Sequence, residues 1–100
     1  MDFGQTPVAS VFDMTRALDR REIAPALQIL AELLANGQHP LQIMGGVVWF
    51  WRQKKNRLSD AKFTSGLEAL QEADLNIKRS RVTPDHAVEM LVVKLGTILK

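Results

Sequence analysis

Between Ile23 and Leu34 the apolar side chains Ile23, Ala26, Leu27, Leu30, Leu33 and Leu34 recur at spacings of three and four, the period of one helix face. Gly37 is placed to end that helix in the left-handed conformation, and Pro25 is tolerable only in its first turn. The same alternation of periodic run and boundary signal extends along the chain. Ser10 and Asp13 form an S-x-x-D capping pattern that opens a first helix, from about Val11 to Arg20. The second helix runs from about Glu22 to Asn36, and Pro40 can start a third that reaches about Arg57. Ser59 or Asp60 can cap a fourth, which runs to about Arg79. Thr83 followed by Pro84 opens a fifth, with Val88, Leu91, Val92, Leu95 and Ile98 facing inward.

No segment has a convincing strand pattern, an internal repeat or low complexity. Residues 1–9, with Gly4 and Pro7 and no sustained period, read as a lead-in or linker. The predicted fold is therefore all-α: residues 10–100 form one compact bundle of about five mostly antiparallel amphipathic helices. Connections of two to five residues are expected to make successive helices neighbours. A chain of 100 residues, 46% apolar and 24% charged, is long enough to bury one core without staples.

The third helix carries both tryptophans. At about 100° per residue, Ile43, Met44, Val47, Val48, Phe50, Trp51 and Leu58 share a broad core-facing half. Trp49 points nearly the opposite way, among Gln42, Gly45, Gly46, Gln53 and Asn56. Each glycine inside a helix costs about 1 kcal/mol relative to alanine, so a close contact against Gly45 and Gly46 is expected in compensation. The first or fifth helix of the same bundle can supply that contact. Alternatively Trp49, with Arg52 beside it, anchors a subunit interface.

On the fourth helix Phe63, Leu67, Leu70 and Ile77 fall within roughly 80° of one another, and Asp74 falls between them. A carboxylate buried there needs a cation or several donors. Lys78 follows at the favourable four-residue spacing, so Asp74 and Lys78 are expected to form a structural ion pair that secures the bundle.

Two basic clusters remain: Arg52, Lys54, Lys55 and Arg57 at the end of the third helix, and Lys78, Arg79 and Arg81 at the end of the fourth. The helix dipole favours cations at both places. Lys54, Lys55, Arg57, Arg79 and Arg81 are also candidate nucleic-acid contacts. Neither cluster is interleaved with aromatics, and the net charge of +2 is small for a dedicated binder.

Enzymatic chemistry finds little support. The chain has no glycine-rich phosphate loop, no H-E-x-x-H spacing, no G-x-S-x-G nucleophile and no cysteine, so no catalytic, cofactor-binding or metal site is expected. His39 reads as a solvated turn residue, and His86 can reach Glu89. The longest apolar run, Val47 to Trp51, is far below the roughly 20 residues of a membrane span. The first residues lack a signal peptide's pattern, and the absence of cysteine suits a reducing compartment; the expectation is a cytoplasmic protein without a membrane or small-molecule partner.

The order of the motifs resembles the C-terminal part of the delta subunit of bacterial DNA polymerase III, a clamp-loader subunit. Val11, Phe12 and Asp13 match a V-F-D-L-like start. Ala26, Leu27 and Leu30 match an A-L-x-x-L helix, Gly37 and Pro40 a Gly-x-x-Pro turn, and Arg52 and Gln53 a helix end. Further along, Ala73, Asp74 and Lys78 match an A-D-x-x-x-K pattern, and Pro84, Val88 and Glu89 the start of a closing helix. The likeness covers about residues 10–99. It departs between Arg57 and Phe63, where many members carry an insertion with an additional helix.

The resemblance implies a collar domain. In this family that domain packs against its equivalents in the other clamp-loader subunits, while clamp opening and a degenerate ATPase-like fold belong to an N-terminal portion absent from this sequence. The chain is then an excised assembly domain, with sliding clamp and DNA engaged mainly by the rest of the complex. Trp49, Arg52 and Gln53 are the expected intersubunit residues. The alternatives are a stand-alone helical nucleic-acid-binding domain and, more remotely, an accessory or regulatory subunit of an enzyme.

Overall fold

The computed structural model describes residues 10–100, and the lead-in expected over residues 1–9 lies outside them. Five helices make up the fold: α1 (Val11–Asp19), α2 (Ile23–Ala35), α3 (Pro40–Arg52), α4 (Asp60–Lys78) and α5 (Pro84–Leu99). There is no strand among the described residues, so the architecture is an all-α bundle.

Local chemistry sets the boundaries. The Ser10 hydroxyl accepts from the Asp13 amide, and the Asp13 carboxylate accepts from the Ser10 amide at 2.8 Å, a complete capping box. Ser59 and Thr83 cap α4 and α5 through the amides of Lys62 and His86. His39 caps α3: its Nδ1 accepts from the Leu41 amide at 3.1 Å, a role its sequence position alone does not suggest.

Three helices end in the paired bonds of a Schellman motif. After α2, Gly37 takes the left-handed conformation at φ 86°, with Gly37 N–H donating to Leu34 and Gln38 N–H to Leu33. After α1 and α4 the same position is held by Arg21 (φ 63°) and Ser80 (φ 54°), where a side chain costs about 1 kcal/mol or more. Arg21 has an offsetting contact, since its Nε donates to the Leu99 carbonyl at 2.8 Å and ties the α1–α2 corner to the end of α5.

The central helix is α5, which packs on α1, α2, α3 and α4. Its buried set, Ala87, Val88, Leu91, Val92, Leu95, Gly96 and Leu99, is correspondingly wide. Gly96 is required there, because a Cβ at that position would run into Ile23 of α2. The closest sequential pairs are α1 with α2 and α4 with α5. The expectation that every short connection makes neighbours fails for α2 and α3, which do not pack appreciably on each other. Both lean on α5 instead.

Two sequence expectations about α3 are corrected. The helix ends at Arg52, not near Arg57. Beyond it the chain winds in tighter turns, with Lys54 N–H donating to Trp51, Lys55 N–H to Arg52 and Arg57 N–H to Lys54, before a bend at Leu58. The resulting connection from Gln53 to Ser59 exceeds the expected two to five residues. Of the two helical glycines, only Gly46 makes a close approach: a Cβ there would meet a methyl group of Val11, whereas one at Gly45 would meet nothing.

On α4 the buried stripe is formed by Gly66, Ala69, Leu70 and Ala73, flanked by half-buried Phe63 and Ile77. Small residues mark its centre because there the helix closes on Trp51 and α5. Leu67 is therefore exposed, and Asp74 lies at the margin of the stripe with its side chain 45% accessible. The expected ion pair is present, Lys78 Nζ to Asp74 at 2.9 Å, but it is a solvated pair along one helix rather than a buried link between helices.

Candidate protein-interaction surface

The capping box at Ser10 starts α1 so that Val11 turns toward α3 and Phe12 turns outward with Arg16 and Asp19. Because Gly46 has no side chain, Val11 seats against the backbone of α3 and draws α1 close. That approach brings Phe12 over Trp49. The rings meet edge to face, centroids 6.0 Å apart and planes at 89°. Both remain in solvent, Phe12 60% and Trp49 56% exposed.

The pair forms the apolar edge of an open groove of about 510 Å³ whose polar lining includes Arg16, Asp19, Gln53 and Arg57. The groove floor is fixed by Lys54. Its ammonium group pairs with Asp19 and sits 5.0 Å from the centre of the Phe50 ring, leaving the residue 7% exposed. Arg16 is held by Asp13 at 3.1 Å. The Asp13 carboxyl lies below the usual carboxylate range, chiefly because it accepts from the Ser10 amide, then from the Ser10 hydroxyl, with Arg16 adding charge attraction.

Of the three expected interface residues, Trp49 and Gln53 share this groove, while Arg52 is exposed but outside its lining. Lys54 is withdrawn from the set of possible nucleic-acid contacts, because its charge is spent on Asp19 inside the fold. Lys55, Arg57, Arg79 and Arg81 are all exposed; Arg57 lies in the Trp49 groove, whereas Arg79 and Arg81 line a separate groove along α4 and α5.

Phe12 is not among the residues expected at this surface. The signal was available: on the α1 wheel it lies with Arg16 and Asp19, roughly opposite Met14 and Ala17, so an apolar ring was bound to face solvent.

Comparison with protein-family models, with curated proteins and with solved structures finds no match to this chain.

The geometry therefore speaks through its chemistry. Among the described residues no group of three or more His, Asp or Glu side chains is arranged to hold a metal ion, and His86 simply approaches Glu89 at 3.5 Å. No described helix is long and apolar enough to cross a membrane. Two exposed aromatic rings, packed edge to face, stand beside hydrogen-bonding groups. At about 25 cal/mol per Å², covering them releases on the order of 5 kcal/mol before the costs of association are met.

Proposed function

We propose that this chain is an assembly domain, the C-terminal collar domain of a cytoplasmic clamp-loader subunit similar to DNA polymerase III delta. It fixes its subunit in the ring that loads the sliding clamp during DNA replication. The observation that carries the interaction half of this reading is the exposed Phe12–Trp49 pair, with Gln53 and Arg57 beside it. Trp and Arg are enriched among the residues that dominate binding energy, and aromatic anchors gain most when a partner desolvates them. The clamp-loader half rests on the order of motifs from Val11 to Glu89.

In this role the chain performs no chemistry. It is a rigid adaptor, and its partners are the helical collar domains of the other subunits. The nucleic-acid reading is weakened by the burial of Lys54, which leaves Lys55 and Arg57 as the exposed cations of that turn.

Binding of the purified chain to the other clamp-loader subunits tests the proposal, with duplex and single-stranded DNA as parallel ligands. Stable association with a clamp-loader subunit at about 150 mM salt is the expected result. DNA binding that falls steeply with salt, without any subunit binding, would replace the collar reading with the nucleic-acid one.

A further inference from the structure

The outward face of α4 carries Glu68, Gln71, Glu72, Leu75, Asn76 and Arg79 along one edge of an open groove of about 730 Å³ between α4 and α5. These positions follow one another by three, one, three, one and three residues, so they form a single continuous stripe on the helix. Leu75, at its centre, is 37% exposed, and Val93 of α5, on the opposite wall, is 41% exposed. The charges are ordered. Glu68 lies near one end, and Arg79, joined by Arg81, lies at the other, about 16 Å away along the axis. Neither Glu68 nor Arg79 has an ion-pair partner among the described residues, while Glu72 between them is held by Lys94.

We propose that this face is an interface between two copies of the chain, packed about a two-fold axis with α4 antiparallel to α4 of the second copy. A surface that is negative at one end, positive at the other, and carries a neutralised Glu72–Lys94 pair and half-exposed Leu75 between them is complementary to itself when reversed, the condition for an isologous contact. One register pairs the stripe position by position. Glu68 faces Arg79 of the second copy, Gln71 faces the amide of Asn76, and Leu75 lies beside the axis against the methylene groups of Glu72, whose carboxylate stays turned to Lys94. Each contact occurs twice. A polyanion is mismatched at Glu68 and a polycation at Arg79 and Arg81, so a reversed copy fits best. The inference does not rest on the collar reading, which uses α1 and α3.

Sedimentation of the chain from about 10 μM to 1 mM tests it, with circular dichroism confirming that each variant is folded. The average mass is expected to rise from one copy toward two. Glu68→Arg and Arg79→Glu should each weaken association at least about tenfold, and the combined exchange should restore it to within about threefold of the parent. A parent chain that stays monomeric throughout overturns the proposal and leaves the face to a partner of different sequence. Single exchanges without effect, or a combined exchange that fails to restore association, overturn it by placing the contact elsewhere.

Discussion

Gly66 of α4 lies against the indole of Trp51 in α3, so closely that any side chain at Gly66 would occupy the space of the ring. Trp51 is fully buried, and its Nε1 donates to the Phe63 carbonyl at 3.0 Å, fixing the indole against the first turns of α4. This contact joins the two helices that the long turn Gln53–Ser59 separates in sequence.

Replacing Gly66 by alanine is expected to destabilise the fold by about 1–3 kcal/mol despite alanine's better helix propensity, because Trp51 must move. Gly45→Ala, where the added methyl meets nothing, should instead stabilise by about 0.5–1 kcal/mol. Urea unfolding of both variants checks the contrast. Equal effects of the same sign would show that helix propensity, not the Trp51 contact, governs Gly66.

The two Lys–Asp pairs should differ sharply. Lys54 is buried, so Asp19→Ala leaves an ammonium group without its carboxylate and is expected to cost about 1–3 kcal/mol. Asp74→Ala removes only a solvated pair within one helix and should cost less than about 0.5 kcal/mol. Thermal or denaturant unfolding distinguishes them, and a larger loss at Asp74 would contradict the observed packing of α4.

Asp13 predicts a dependence on pH. Its carboxyl is held below its ordinary value by the Ser10 amide and hydroxyl, so the folded state favours the ionised form. The resulting stability is present above the unfolded value of about 3.9 and is lost as pH falls through the lower folded value. The stability difference between the parent and Asp13→Asn should therefore be constant near neutrality and shrink below about pH 4. Denaturation midpoints at several pH values measure it; a difference that persists unchanged at pH 2 would contradict the capping role.

Ser80 occupies the left-handed position after α4 with no side-chain hydrogen bond to offset the strain among the described residues. Ser80→Gly removes that strain while adding freedom to the unfolded chain, for a net gain of about 0.5–1 kcal/mol. A loss of stability on calorimetry would show that the Ser80 side chain contributes more than its backbone costs.

Much of this arrangement is legible in the sequence, and the failures have physical causes. Ser10, Gly37, Ser59, Thr83 and Pro84 mark helix ends because capping is local chemistry that needs no knowledge of the fold. The exposure of Trp49 follows equally directly from the wheel of α3. Asp74 misleads because the wheel of α4 was centred on its large residues, Phe63, Leu67 and Leu70. The true centre lies on Gly66 and Ala73, whose smallness only acquires meaning once Trp51 is seen against them. Lys54 misleads for a related reason: a basic residue past a helix end normally stays in water, and nothing near it in sequence announces Asp19, thirty-five positions earlier. The pairing of Phe12 with Trp49 is likewise a property of the α1–α3 contact at Gly46, not of either helix alone.

Titration of Trp49→Ala against the proposed clamp-loader partner tests most directly whether Phe12 and Trp49 form its docking surface. The variant should stay folded with at most a small drop in melting temperature, since Trp49 is outside the core and loses only its contact with Phe12, and lose at least about tenfold in affinity, as anchors of this kind do. An unchanged affinity in a folded variant would contradict the claim.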